Sequence, residues 1–153
     1  MSLIIRKAET KDLDSLVYIE HECSGMPWSR EQFIDELLFP LSHTYVAEVD
    51  GTVAGFFSMH VVSDDAHLNE FGVLKEYRRQ GIGMSLAKQM LAICKENNCA
   101  VFSLEVRESS FPAISLYEKV GCKKAGIRKD FYLNPRENAI IYIMNFEDDY
   151  PEC

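Results

Sequence analysis

The sequence predicts a single α/β domain built on a mixed sheet, of the α+β kind. Apolar segments of strand length and amphipathic segments of helix length follow one another in the order β-α-α-β-β-β-α-β-α-β-β. An Asp-Gly turn joins two of the strands into a hairpin, which a fully alternating doubly wound fold would not contain. No linker or repeat divides residues 1–146, and residues 147–153 form a separate acidic tail.

The first strand and the first helix are predicted from the N-terminal segment. Residues 4–8 have the apolar character of a strand. Thr10 is the predicted cap of a helix over residues 11–22, in which Leu13 and Leu16 recur at helical spacing.

A second helix follows after a break at residues 25–28, which read Gly-Met-Pro-Trp. Ser29 is followed three residues later by Gln32, and this pair is a capping box. The predicted helix therefore covers residues 30–38 and ends before Pro40.

Three strands are predicted next. Residues 44–49 and 52–60 flank Asp50-Gly51, which is a strong signal for a tight hairpin turn. A further strand covers about residues 67–73.

The remaining elements begin with a helix from about Met84 to Glu96, followed by a strand over residues 100–107. Ser110 is the predicted cap of the last helix, which stops at Gly121. Two final strands over residues 123–132 and 139–146 flank an Asn134-Pro135 turn.

A loop rich in arginine and glycine separates the fourth predicted strand from the third predicted helix. It reads Arg-Arg-Gln-Gly-Ile-Gly over residues 78–83 and brings unpaired N–H groups and a helix dipole to one point. The glycines let the backbone approach an anion closely, so a pyrophosphate cradle is one interpretation. A solvated turn before a capped helix is the other. The spacing R-x-x-G-x-G differs from both common nucleotide-binding glycine motifs.

Composition limits the possible functions. The chain has 153 residues, of which 47% are hydrophobic and 26% charged, as in an ordinary globular protein. Its net charge of −8 disfavours nucleic acid as a direct partner and is compatible with a cationic amine substrate. No apolar run is long enough for a membrane span, and no signal peptide is recognisable.

The five cysteines are odd in number and lack metal-ligand spacing with the four histidines. We therefore expect reduced thiols, no metal and a cytoplasmic protein. The sequence leaves open whether it is a monomer or a homodimer.

The element order, with R-x-x-G-x-G between the fourth strand and the third helix, resembles the GNAT superfamily of N-acetyltransferases over about residues 3–146. Several segments are similar to the branch of bacterial ribosomal-protein alanine N-acetyltransferases. They read Met-Pro-Trp-Ser at 26–29, Leu-Glu-Val-Arg at 104–107, Leu-Tyr-Glu at 116–118 and Asn-Ala-Ile-Ile at 138–141. Glu70 and Ser110 depart from that branch, which has an apolar residue or Asn at the first position and Asn at the second.

The resemblance implies acetyl-CoA as co-substrate and a bulge that splays the fourth strand from its neighbour. Free backbone groups of that strand would pair with the pantetheine arm, and one N–H would polarise the thioester carbonyl. Gly72 fits a bulge or close backbone approach, or simply a small residue beneath a packed helix. The implied cofactor-binding residues are Phe71, Gly72, Val73, Arg78, Arg79, Gln80, Gly81, Ile82, Gly83, Met84 and Ser110.

The resemblance also implies a base and an acid. Glu105 matches the family base, and we expect burial between apolar strand neighbours to raise its pKa. A strand glutamate paired with a cross-strand cation is the alternative, and Glu70, His67 or a water relay are rival bases. Tyr117 matches the tyrosine that protonates the leaving thiolate, although its helical spacing also suits a core residue.

The acceptor is expected to be a protein or peptide α-amine. Such an amine titrates near pH 8, so about a tenth is neutral at pH 7, against under about a thousandth of a lysine. The resemblance implies that Trp28 and Tyr132 bind the substrate, beside Met26 and Phe131, and the alternative is that these side chains are buried packing residues. One alternative is acetylation of a small amine such as a polyamine, amino acid or aminoglycoside. Another is a non-catalytic module that binds acyl-CoA.

Overall fold

The structure is a computed structural model that describes residues 1–146, so the predicted acidic tail at 147–153 lies outside the described residues. The observed element order confirms the predicted one. The strands are β1 (Leu3–Lys7), β2 (Ser42–Val49), β3 (Thr52–Val62), β4 (Asp65–Val73), β5 (Val101–Arg107), β6 (Lys123–Tyr132) and β7 (Glu137–Asn145), and the helices are α1 (Leu13–Cys23), α2 (Arg30–Leu38), α3 (Ile82–Glu96) and α4 (Phe111–Lys119).

The seven strands form one mixed sheet in the order β1-β2-β3-β4-β5-β7-β6. Strands β4 and β5 run parallel, and the other neighbouring strands run antiparallel. The turn between β2 and β3 has positive φ at both Asp50 (48°) and Gly51 (86°), as the predicted Asp-Gly hairpin requires.

The helix boundaries confirm one predicted cap and correct three other details. Ser29 and Gln32 form the predicted capping box of α2. A three-residue 3₁₀ turn precedes α1, and Glu9 rather than Thr10 occupies its cap position. Ser110 occupies the predicted N-cap position of α4, but its side chain makes no cap hydrogen bond.

The third correction concerns α3, which begins at Ile82, two residues before the predicted Met84. The first helical turn therefore lies inside the glycine-containing loop. This places the free N–H groups of the helix at Ile82, Gly83 and Met84.

Two apolar cores lie on opposite faces of the sheet. Phe57 of β3 packs in the core beneath α3, whereas the adjacent Phe56 packs in a smaller core with Leu16 of α1 and Phe33 of α2. Because successive side chains of a strand point to opposite faces, this alternation separates an α1/α2 face from an α3/α4 face.

Four cysteines, Cys23, Cys94, Cys99 and Cys122, are free thiols, while Cys153 lies outside the described residues. Within residues 1–146, none of the helices combines the length and apolar character needed to cross a bilayer.

Candidate active site

A gap opens between the two parallel strands of the sheet. Strand β4 pairs with β5 only through Asp65, Ala66 and His67. The register between β3 and β4 then shifts at Asn69, which has no direct partner on β3 and forms a β-bulge. Strands β4 and β5 do not pair beyond His67, as the resemblance implies for this fold.

The end of β4 presents main-chain polar groups to this gap. The N–H of Leu74 donates to the Ala54 carbonyl of β3 at 2.9 Å. The Val73 carbonyl on the same peptide therefore points away from β3, where it accepts from Arg78 Nε at 2.9 Å. Because alternate residues of a strand present their polar groups to the same edge, those of Phe71 also face the gap.

The packing of α1, rather than the bulge, favours glycine at position 72. A Cβ atom at this position would lie 3.2 Å from Cys23 Sγ and 3.3 Å from Ile19 Cγ2. The close packing of α1 on β4 therefore excludes a larger residue without local movement, which is the alternative the sequence left open.

The loop before α3 has the backbone conformation of an anion cradle. Arg79 and Gly81 adopt positive φ of 63° and 81°, and the first helical hydrogen bond runs from the Ser85 N–H to the Gly81 carbonyl. The N–H groups between them in sequence, including those of Ile82 and Gly83, have no helical acceptor. Nothing lies within 4 Å of a Cβ built on Gly81, so conformation rather than space requires glycine there.

The polar side chains of the loop differ in their contacts. Arg78 is engaged with the Val73 carbonyl and, more weakly, with Cys23 Sγ at 3.9 Å. Gln80 Nε2 donates to the Glu76 carbonyl at 3.4 Å, whereas Arg79 is exposed. Phosphate binding by these three residues stays a prediction, as does cofactor binding by Ser110.

Tyr117 lies on the α3/α4 side of the gap. It is 4% exposed, and its ring makes an edge-to-face contact with Phe71 at a centroid distance of 6.2 Å. Burial raises the pKa of the phenol above its ordinary value near 10. The hydroxyl is therefore protonated at neutral pH, as a proton donor must be.

Glu105 lies on the other face, in a chain of polar contacts. Its Oε2 is 3.0 Å from His67 Nε2, and its Oε1 is 3.4 Å from Arg128 Nε. His67 Nδ1 in turn lies 2.8 Å from Ser103 Oγ. These contacts join one rival base, His67, directly to the family-matched one.

The expected rise in the pKa of Glu105 is wrong. The hydrogen bond with His67 and the charge of Arg128 favour the carboxylate more than burial disfavours it, so the pKa is lowered. The cross-strand cation of the alternative interpretation is present as Arg128. A role of Glu105 as base stays a prediction.

Glu70 faces α1 and forms a carboxyl pair that the sequence did not predict. Burial and the neighbouring Glu20 carboxyl raise the pKa of Glu70 to about 9, and Glu20 itself is 1% exposed. Glu20 Oε2 also accepts from the main-chain N–H of Trp28 at 3.0 Å. Glu20 follows Leu16 by four residues on the apolar stripe of α1, and this misplaced acid is the signal that could have revealed it.

The loops after α1 and before β7 meet beside this pair. A Cβ built on Gly25 would clash with the Asn134 carbonyl oxygen, so the two backbones are in direct contact. Arg107 donates to the carbonyls of Leu133 and Pro135, each at 2.8 Å. Arg107 therefore fixes the loop between β6 and β7, a role that the sequence did not single out.

The two predicted acceptor-binding aromatics belong to these loops. Trp28 is half-buried and packs edge-to-face on Phe33 at 5.4 Å. Tyr132 is half-buried beneath the Arg107 guanidinium, which lies 4.5 Å from its ring centroid. They are thus anchored on opposite sides of the region where Gly25 meets Asn134, and substrate binding by either stays a prediction.

Comparisons with known proteins agree with this arrangement. The model of the Acetyltransferase (GNAT) family matches residues 13–122. A Bacillus subtilis (strain 168) protein, provisionally named [ribosomal protein bS18]-alanine N-acetyltransferase, is 38% identical over 138 residues, covering 90% of this chain and 91% of its own. An Escherichia coli (strain K12) protein named [ribosomal protein bS18]-alanine N-acetyltransferase is 35% identical over 144 residues, covering 90% and 93%.

A solved structure is similar as well. The crystal structure of the ribosomal-protein-S18-alanine N-acetyltransferase from Escherichia coli superimposes with a TM-score of 0.86 at 32% identity, covering 94% of both chains.

Proposed function

Because this chain belongs to the acetyltransferase (GNAT) family, it is an N-acetyltransferase, and we propose that its acceptor is the α-amine at the N-terminus of a protein. The relatives that cover about nine-tenths of the chain are named as alanine N-acetyltransferases of ribosomal protein bS18. We extend that acceptor class to this protein, and with it a cytoplasmic location. One observation carries the proposal: the β4–β5 gap has main-chain N–H groups and arginines on one side and carboxyl groups on the other.

One side of the gap suits the acetyl donor, acetyl-CoA. The N–H groups at the start of α3 bind the diphosphate, assisted by the charges of Arg78 and Arg79. The gap-facing main-chain groups of Phe71 and Val73 pair with the pantetheine arm. A main-chain N–H at this edge polarises the thioester carbonyl.

The other side suits a cationic acceptor. The carboxyl groups of Glu70, Glu20 and Glu105 all lie on the α1/α2 face, where an α-ammonium group finds hydrogen-bond acceptors and the negative charge of Glu105. Trp28 and Tyr132 then contact the first residues of the acceptor chain. A small polyamine offers several cations, but it lacks the peptide backbone and side chains that Trp28 and Tyr132 would contact.

The chemistry divides between the two faces. The neutral amine attacks the thioester carbon, forming the C–N bond as the C–S bond breaks. Glu105, with His67 beside it, accepts the proton that the nitrogen loses after attack, directly or through a water. Tyr117 donates its proton to the departing sulfur, whose thiol has a pKa near 8.5. A carboxylate of low pKa suffices because an α-amine is already partly neutral at pH 7.

The test is acetyl transfer to defined acceptors. Peptides beginning with the first residues of ribosomal protein bS18 are incubated with acetyl-CoA, and thiol release and peptide mass are followed. Controls are the same peptide with a blocked α-amine and an internal lysine, and a set of polyamines, amino acids and aminoglycosides. We expect one acetyl group on the free α-amine and none on the blocked peptide. Turnover confined to small amines, or binding of acetyl-CoA without turnover on any amine, would contradict the proposal.

A further inference from the structure

One ion pair beside the candidate site takes no part in the chemistry described above. Arg107 Nη1 lies 3.2 Å from Glu137 Oε1, and the two side chains are 19% and 12% exposed. Arg107 ends β5, and Glu137 begins β7 directly after residues 133–136, which we call the acceptor loop. A largely buried ion pair is costly unless its remaining polar atoms are also bonded, so the other partners of this pair indicate what it holds.

The guanidinium group of Arg107 holds the main chain of the acceptor loop. Nη1 donates to the Pro135 carbonyl and Nη2 to the Leu133 carbonyl, each at 2.8 Å. The guanidinium carbon also lies 4.5 Å from the ring centroid of Tyr132, the residue that precedes the loop. Because a guanidinium group presents several donors in one rigid plane, this single side chain fixes both ends of the loop.

The carboxylate of Glu137 holds a different segment, the turn that leads into α4. Glu137 Oε2 accepts from the Ser109 N–H at 2.7 Å. The main-chain carbonyl of Arg107 accepts from the Ser110 N–H of the same turn at 3.0 Å. The hydrogen bond from Ser109 and the guanidinium of Arg107 lower the pKa of Glu137, so its carboxylate is charged at neutral pH. Helix α4 carries Tyr117, to which we assign the proton transfer to sulfur.

The loop between α1 and α2 reaches the same ion pair. A Cβ built on Gly25 would lie 3.0 Å from Arg107 Nη2 and would clash with the Asn134 carbonyl oxygen. A side chain at position 25 would therefore displace either the guanidinium group or the acceptor loop. The Arg107–Glu137 pair thus lies where the two loops on the acceptor side meet the turn that begins α4.

We propose that Arg107 and Glu137 are positioning residues for the acceptor, which hold the acceptor loop in a fixed place relative to the helix that carries Tyr117. This inference rests on the proposed function, since it concerns the same acceptor. Neither residue touches the reacting atoms, and no proton passes through them. Their effect is to align the bound α-amine with the thioester and with the proton donor.

The first experiment separates the two substrates. In Arg107→Ala, kcat/KM for the acceptor peptide should fall about 10- to 100-fold, because small displacements of a positioning group have effects of this size. The KM for acetyl-CoA should change less than about twofold, since the main-chain bond from Ser110 to residue 107 remains. Lys129→Ala, which removes an exposed cation from β6, is the control and should change neither constant.

Chemical rescue tests the geometry of the bonds. Arg107→Lys keeps the charge but not the planar set of donors, so it should lose nearly as much activity as Arg107→Ala. Ethylguanidinium, which is the part of the side chain that Arg107→Ala removes, should raise the kcat/KM of that variant at least about fivefold. Ethylammonium at the same concentration should have no such effect. Glu137→Gln removes one charge and should lower kcat/KM for the peptide about three- to tenfold.

Several kinetic results would overturn the proposal. These are an unchanged kcat/KM for the peptide in Arg107→Ala, equal losses for both substrates, and equal rescue by the two cations. Wild-type kinetics of Glu137→Gln would overturn the part assigned to the carboxylate. If Arg107→Ala fails to fold, Arg107→Lys takes its place: a loss on the peptide alone supports the proposal, and full activity contradicts it.

Trypsin cleavage after Arg136 measures the acceptor loop without any acceptor. Arg136 is exposed within the loop, and Arg136→Gln identifies the cleavage by removing it. Because cleavage depends on local opening, Arg107→Ala should be cut there at least about tenfold faster than the wild type, and ethylguanidinium should slow the cut. Equal cleavage rates would overturn the proposal whatever the acceptor is. A wild type that acetylates no α-amine but shows this difference in cleavage counts against the proposed function alone.

Discussion

The two faces of the central sheet, to which we assign the two substrates, are built from different parts of the chain. On the α3/α4 side, one short segment, residues 78–84, supplies consecutive main-chain N–H groups and two arginines. On the α1/α2 side, the acids Glu20, Glu70 and Glu105 come from a helix and two strands and meet only in the folded protein. The proposed donor site is therefore local and built from backbone, whereas the proposed acceptor site is assembled and built from side chains.

The largest expected effect comes from Tyr117, which we assign as the proton donor to the departing sulfur. Removing the hydroxyl in Tyr117→Phe should lower kcat about 10²- to 10³-fold, because the departing thiolate loses its proton donor, and leave the KM for acetyl-CoA nearly unchanged. Steady-state kinetics measure both constants. Tyr142→Phe is the matched control, since Tyr142 is equally buried but its hydroxyl donates to Glu118 at 3.1 Å. A Tyr117→Phe enzyme that retains full kcat would remove the acid from this mechanism.

The next effect concerns the acceptor side. Glu105→Gln should reduce kcat about 10- to 100-fold while leaving the KM for acetyl-CoA unaffected. Since the pKa of Glu105 is lowered, its carboxylate is ionised throughout the neutral range, so it adds no acid limb to the pH profile above about pH 5. Glu108→Gln, an exposed acid just after β5, is the control. If both variants behave alike, Glu105 serves only to hold His67 and Arg128.

Substitutions on the donor side should change the KM for acetyl-CoA rather than kcat. Arg78→Ala removes both a positive charge and the contact with the Val73 carbonyl, and should raise the KM for acetyl-CoA about tenfold. Arg79→Ala removes an exposed charge alone and should raise it only about two- to threefold. The difference between the two variants in assays at low salt measures how much the fixed end of β4 contributes. If both variants raise the KM for acetyl-CoA equally and only slightly, the main-chain N–H groups alone bind the diphosphate.

The smallest effect is on stability and concerns the carboxyl pair. Because the pKa of Glu70 is raised from 4.5 to about 9 on folding, the folded protein binds more protons than the unfolded one between these values. Stability therefore falls as pH rises through this window. Glu70→Gln lacks this loss, so its Tm should match the wild type near pH 4.5 and exceed it increasingly as the pH rises towards 9. Thermal unfolding that shows a constant difference across pH would contradict the raised pKa of Glu70.

The same contrast explains which features the sequence could predict. The element order, the Asp50-Gly51 turn and the loop at residues 78–83 are local patterns, and the structure contains all of them. The pKa of Glu105 depends on His67 and Arg128, which lie far away in sequence. Its strand neighbours alone indicated burial and therefore the wrong direction. Likewise, Glu20 affects the pKa of Glu70 only because α1 packs on β4 at Gly72.

The most direct measurement is a crystal structure of the protein with coenzyme A bound. We expect the diphosphate on the N–H groups of Ile82, Gly83 and Met84, and the pantetheine arm beside Phe71 and Val73. The sulfur should then lie within hydrogen-bond reach of the Tyr117 hydroxyl, about 3 Å or one water away. A diphosphate bound elsewhere, or a β4–β5 gap that stays closed by side chains in the complex, would contradict the division of the two substrates between the faces of the sheet.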